Sequence, residues 1–308
     1  MRDPAFSAPG QFFRGNLHTH SDRSDGVISP KEVCRRYKAE GYDFIALTDH
    51  FVGPYDYPIV DTTGFRDADF TTILGAELHS GAMENGELWH ILAVGLPTDF
   101  APSNSPGFHP IEDQETGPQL AQRARDAGAF VAVAHPEWGG LSLNDVRSIK
   151  AAHAVEIYNH GCQVAADRAE GFWHLDRLLE EGCRLTLCAT DDAHFSEPDH
   201  FGGWTMVKAA ENTPEALLQA LKDGHTYAST GPEIHDVVWG DDTVTVSCSA
   251  AVTIIIQAKG STAIAHHGES MTHSTVGLGR CASNDWMRLT IIDRAGRRAW
   301  TNPIWKSS

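Results

Sequence analysis

The sequence is short of several things, and each shortage excludes something. It has no apolar run approaching the roughly 18 residues that a membrane-spanning helix needs. Its opening, MRDPAFSAPGQFF, lacks an apolar h-region and a small-residue cleavage signature, so a cytoplasmic location is expected. Only six cysteines occur among 308 residues, scattered at Cys34, Cys162, Cys183, Cys188, Cys248 and Cys281 without a CxxC pair. That argues against a disulfide framework or a cysteine zinc knot and leaves reduced, buried thiols as the expectation. Positive charge is scarce too: 24 Lys and Arg face 41 Asp and Glu, a formal net charge of -17. Such a surface repels a polyanion, which argues against a nucleic-acid polymer as partner. A small phosphorylated substrate stays open, because bound cations reverse the field of a site locally. Nothing in the sequence sets the oligomeric state.

Histidine, by contrast, is plentiful, with 17 residues, several of them at the ends of apolar runs. Those runs alternate with helical stretches through the first two thirds of the chain. Ser29-Pro30 opens a helix over Lys31 to Glu40 that Gly41 closes. Further helices are expected at 117–127, 172–181 and from Thr213-Pro214 to Gly224. Strand-like runs lie at 44–48, 72–74, 90–94, 130–134, 154–158 and 184–189. The alternation predicts an α/β fold with a parallel sheet, open or closed into a barrel. After Gly231-Pro232 the pattern changes to short β-rich runs divided by Gly, Asp and Asn. This predicts two domains, residues 1–231 and a C-terminal antiparallel β-sandwich over 232–308.

The ligand-type residues gather at the strand ends, the rim where a βα barrel builds its site. His18-Thr19-His20 presents two imidazoles to one face if extended. Asp25 sits before Gly26, which is also what an ordinary turn looks like. Asp49-His50 closes a strand. Glu77 follows an apolar run, where a carboxylate needs a partner and a metal would serve. His90 opens a strand, and a core histidine bonded to a carbonyl would look the same. His135 closes another strand, and Asp192-Ala193-His194 repeats the one-residue spacing. His79 competes with His90, and Asp191 with Asp192. Each signal is modest alone, but their conjunction, without cysteine, suits a hydrolytic site for Zn2+, Mn2+ or Fe2+.

The run GNLHTHSDRSDGVISPKEVCRRYKAEGYDFIALTDH resembles the opening of the polymerase-and-histidinol-phosphatase (PHP) family of metal-dependent phosphoesterases. AELHS, WHILAVGL, VAHPE and TDDAH follow in that family's order, and the resemblance covers roughly residues 14 to 231. It implies a distorted (β/α)7 barrel with two to three divalent cations at its rim. His18, His20, Glu77 and Asp192 would hold one cation. Glu77 would bridge to a second, held also by His90 and His135. Asp25, His50 and His194 would hold a third. Asp-x-His selects Asp192 over Asp191.

The expected chemistry is hydrolysis of a small phosphate ester. Paired cations neutralise the ester oxygens and lower the pKa of a bridging water, which then attacks phosphorus in line. His194 or His160 would help the leaving oxygen depart, and Arg23 would meet the phosphate unless it is only a solvated loop charge. Glu156 either faces the pocket or supports a ligand imidazole, and Tyr55 and Tyr57 are candidate lid residues. Three other readings stand beside this one. The same cluster could act on a diester or cyclic phosphate. The barrel could be a non-catalytic metal-binding module. The tail could be the working part, with Trp239, Trp286, Trp300 and Trp305 as a stacking platform rather than packing. His266, His267 and His273 read as surface residues.

Overall fold

The computed structural model describes residues 3–111 and 114–306. Eight strands carry the first part: β1 Gln11–Asn16, β2 Phe44–Leu47, β3 His50–Phe51, β4 Thr71–Leu78, β5 Ile91–Val94, β6 Phe130–Val133, β7 Ala154–Asn159 and β8 Thr186–Thr190. Their apolar runs are buried on both faces; every residue of β2, β5 and β6 is buried. Helices α1 Pro4–Ser7, α2 Pro30–Ala39, α3 Gly117–Asp126, α4 Leu143–Ser148, α5 His160–Ala166, α6 Phe172–Glu180 and α7 Pro214–Lys222 complete the set. The start of α2 follows from its sequence: Ser29 Oγ accepts the Glu32 amide, and Pro30 fills a first-turn position whose N–H would have no helical partner.

The pairing corrects the expectation of a parallel sheet. β1–β2, β2–β4, β6–β7 and β7–β8 are parallel, but β5 runs antiparallel to both β4 and β6. The chain after β4 turns straight back through an Ala82–Leu88 bridge, so β5 is entered at the end where its neighbours finish. Beyond β1 and β8 the two following segments meet. The Asp192 amide donates to the His18 carbonyl at 2.8 Å, and the His20 amide donates to Ala193 at 2.9 Å.

β9 Trp204–Ala209 runs antiparallel beside β1, and β10 Thr226–Ser229 runs antiparallel beside β9. The tail then adds β11 Ile234–Trp239, β12 Thr243–Gln257, β13 Ala263–Gly277, β14 Trp286–Ile292, β15 Arg298–Thr301 and β16 Ile304–Trp305. It is antiparallel, as expected, but its strand pairing does not stop at residue 231. β15 pairs with β10, so one sheet continues from the tail into the first part. α1 likewise crosses over: the Asp3 amide donates to the Val237 carbonyl at 3.0 Å, and Phe6 lies in the tail's apolar core. Trp286 and Trp300 are buried in the same cluster as Leu120, Val133 and Leu175, and Trp239 fills the tail's own core. These tryptophans pack, and the three are not a surface platform. Among the described residues no helix is long and apolar enough to cross a membrane.

Candidate metal centre

His18 and His20 extend from the end of β1, Glu77 lies near the end of β4, and His135 and Asp192 follow β6 and β8. His90 precedes β5, and because that strand runs backwards its start reaches the same rim. Glu77 is the hub. His90 Nδ1 lies 2.7 Å and His135 Nε2 3.0 Å from its Oε1, while His50 Nδ1 is 2.7 Å and the Nε2 atoms of His18 and His20 are 3.6 Å from Oε2. Asp192 Oδ1 stands 2.8 Å from His20 Nε2 and 3.2 Å from His18 Nε2. At the open side, Asp25 faces His50 at 3.3 Å and His194 at 3.4 Å.

These donors form four overlapping sets: His20, Asp25, His50, His194; His50, Glu77, His79, His90; His18, Glu77, His135; and His18, His20, Asp192. His18, Glu77 and His20 are fully buried. Yet His18 Nε2 and Glu77 Oε2 make no well-directed hydrogen bond, although Asp192 lies 3.2 Å from the first, His50 lies 2.7 Å from the second, and the two atoms approach within 3.6 Å. A buried carboxylate oxygen and an imidazole nitrogen left without one carry a large desolvation cost. Lone pairs that converge without a proton between them are what a cation needs, so the donor set fits divalent metal.

The PHP domain family model matches residues 16–192. The chain belongs to the PHP domain family. A protein of Methanocaldococcus jannaschii named Uncharacterized protein MJ1295 is 25% identical over 233 residues, covering 73% of this chain and 94% of its own length. A two-domain protein from Bacteroides vulgatus containing a predicted PHP-like metal-dependent phosphoesterase shares the fold with a TM-score of 0.52 at 18% identity, covering 88% of each chain.

Behind the donors, this PHP domain holds a second layer of polar groups. His18 Nδ1 donates to Glu156 Oε1 at 3.1 Å, which turns Nε2 toward Glu77 and Asp192. Glu156 also accepts the His135 amide at 2.6 Å, the Asn159 amide group at 3.0 Å and the Thr190 hydroxyl. Asn159 Nδ2 reaches Asp192 Oδ2 at 3.0 Å. Asp49 accepts the Ser21 amide and the Ser21 and Ser24 hydroxyls, which shapes the loop presenting Asp25. That loop crosses the histidine pair closely: a Cβ on Gly26 would lie 2.9 Å from the His20 carbonyl oxygen. Asp192 itself adopts a left-handed φ of 56°, a conformation aspartate accepts better than most residues.

The titration pattern follows from this crowding. Burial would push the Glu77 carboxyl up, but the His50, His90 and His18 imidazoles hold it well below the usual range. Burial also opposes the His50 cation, yet Glu77 and Asp25 lift it to about 10; His194, between Asp25 and Asp192, rises to about 9. His20 falls to about 4, because burial and the neighbouring His194 and His50 outweigh Asp192.

All nine sequence-derived ligands, His18, His20, Asp25, His50, Glu77, His90, His135, Asp192 and His194, fall in these sets, and His79 joins them. His79 Nδ1 donates to the Trp89 carbonyl at 3.0 Å, so its Nε2 carries the lone pair facing His50. Asp191 is drawn away: its carboxylate accepts the Tyr37 hydroxyl and the Phe201, Gly202 and Gly203 amides. Two expected catalytic residues stand outside every set. His160 lies 3.0 Å from the Tyr158 hydroxyl and packs on Gly202, and Arg23 is 62% exposed beside Asp22. Sequence reasoning missed two aromatic neighbours. The Phe108 ring is 5.4 Å from His50, the Trp138 ring is 4.9 Å from His135, and both are exposed.

Proposed function

We propose that this PHP domain hydrolyses phosphate esters of a small molecule, using two to three divalent cations (Mn2+, Zn2+ or Fe2+). His18, His20, Glu77 and Asp192 would hold the first cation, and Glu77 with His90 and His135 a second. Asp25, His50 and His194 would hold a third at the open side. The observation that carries this reading is Glu77: a fully buried carboxylate ringed by the imidazoles of His18, His20, His50, His90 and His135. Cations bound there would supply Lewis acidity and positive charge against the ester oxygens.

The chain's own residues then have defined tasks. Glu156 and Asn159 fix the directions of His18 and Asp192. Phe108 and Trp138 give an apolar wall for the organic part of the ester. His194 Nδ1 is bonded to the Asp192 carbonyl at 2.9 Å, so only Nε2 faces the site. One nitrogen cannot hold a cation and deliver a proton at once, so we assign His194 to metal binding rather than to acid catalysis. Strands β1, β2 and β4 to β8 form the distorted (β/α)7 barrel of residues 1–231, and residues 232–308 supply no metal donor. The bridge from Thr19 to Ala193 supports closure, and the positions of His267 and His273 on β13, bonded to Thr253 and Ser247, support the tail's exclusion.

The test is metal analysis together with phosphate release from matched monoesters and diesters on the same samples. Two to three ions per chain with metal-dependent release are expected. At most one ion in fully active protein would contradict the cluster.

A further inference from the structure

A second cavity lies apart from the donor sets, where the first part of the chain meets the tail. Its volume is 680 Å³, within the roughly 300–1,000 Å³ of small-molecule sites. None of its lining residues is a candidate metal donor, and none is acidic. In a chain of net charge -17 it is lined by three arginines: Arg14 from β1, and Arg297 and Arg298 where β15 begins.

The three are differently held. The Arg14 guanidinium lies 4.0 Å from the Tyr42 ring and 3.8 Å from the Trp204 ring. Its Nη1 donates to the Glu40 carbonyl at 3.3 Å, its Nε is buried without a partner, and it makes no ion pair among the described residues. Arg297 pairs with Asp293 at 2.7 Å and Arg298 only loosely with Glu170 at 3.8 Å; their side chains are 60% and 49% exposed. Packing makes room for them: a Cβ on Gly231 would lie 2.6 Å from Arg297 Nε, and one on Gly202 would strike the His160 ring. Flat surfaces complete the lining, with the Tyr158 and Trp300 rings stacked at 6.2 Å.

We propose that this cavity binds a small organic anion, a phosphate or phosphonate group carried on a flat ring. Guanidinium forks match the oxygens of such a group, and aromatic faces take the ring. His160, expected at the reaction centre, has its place here instead. The site adjoins the centre through the backbone: the Gly161 amide donates to the Asp191 carbonyl at 2.7 Å, and Gly202 holds the Asp191 carboxylate.

The test uses full-length, metal-loaded protein and phenylphosphonate, whose carbon–phosphorus bond is not hydrolysed. Binding is read by ligand-detected NMR, with methylphosphonate as the ringless control and turnover of an aryl phosphate followed in parallel. Arg297→Gln/Arg298→Gln is expected to weaken phenylphosphonate about tenfold or more while leaving metal content and turnover unchanged. Arg14→Met, which keeps the stem between the two rings, is expected to do the same. Methylphosphonate is expected to bind more weakly than phenylphosphonate. Because the metal centre is itself proposed to take aryl phosphates, Glu77→Gln protein is titrated alongside. No binding beyond the part that Glu77→Gln removes, or such binding left intact by both arginine variants, overturns the proposal. Equal affinity for the two phosphonates overturns the ring-binding part. Neither result bears on the metal centre, whose ion count and turnover are measured separately.

Discussion

Glu156 touches no candidate cation position, yet four groups of the site depend on it: His18, the His135 amide, Asn159 and Thr190. Glu156→Gln keeps the shape but converts an acceptor of His18 Nδ1–H into a group that also donates. Metal affinity is expected to fall about 10–100-fold, as for other supports of a ligand imidazole. Glu84→Gln, at an exposed turn, should leave it unchanged. Titration of metal into chelated protein distinguishes the two, and equal affinity would remove Glu156 from the account. A second expectation concerns protons. Burial works against the cations of His50 and His194, but their carboxylate neighbours raise them to about 10 and about 9, from 6.5. A raised pKa stabilises the fold fully below about 6.5, and that contribution is lost as pH rises through 9 to 10. Cations bound at that position would take the place of those protons. The melting temperature of chelated protein should therefore fall more steeply between pH 7 and 10 than that of loaded protein. Parallel curves would contradict this.

At the scale of elements, what the sequence revealed and what it hid have physical causes. Donors at strand ends were legible because strand ends are local patterns of apolar residues followed by His, Asp or Glu. Asp192 was separable from Asp191 because Asp-x-His is a local pattern as well. The direction of β5 was not legible, since an apolar run reads alike in both directions; only the turn at 79–90 decides it. His79 was legible only as a competitor of His90; that both join one donor set depends on how that turn folds back. β13 was missed because it is a largely exposed run, AIAHHGESMTHSTVG, whose pairing with β12 rests on backbone bonds rather than on apolar alternation. Glu156 was legible as a strand-end group that either faces the pocket or supports a ligand imidazole, and Asp49 as a strand-end residue beside His50, but the particular partners of Glu156, Asn159 and Asp49 were not. Apart from the Glu156–Asn159 contact, three residues apart, their side-chain partners are 25 to 138 residues distant in sequence, and no spacing rule reaches them.

Across the whole molecule, the composition shift near Gly231 coincides with a change to antiparallel strands, and strand pairing and packing continue across it. β15 lies against β10, Trp286 and Trp300 fill the core of the first part, and α1 returns from the N-terminus to the tail. A chain ending at residue 231 would expose that core and an unpaired β10 edge. It is expected not to reach the native fold, and the full chain is expected to melt in one transition. Circular dichroism of both checks this. A soluble, cooperatively melting fragment that binds metal would mean that the two parts are independent.

The central claim is that Glu77 joins two cations. A carboxylate between them screens their mutual repulsion, so it should matter more than any terminal imidazole. Glu77→Gln keeps the volume of this fully buried side chain and removes its charge. The decisive measurement is phosphate release from an aryl phosphate, with metal content determined on the same samples, for wild type and Glu77→Gln. Turnover is expected to fall by a factor on the order of 100 or more, with at least one ion lost, while Glu87→Gln stays near normal. Glu77→Gln protein with near-normal turnover and a full complement of metal would contradict the bridge and the arrangement of donors built around it.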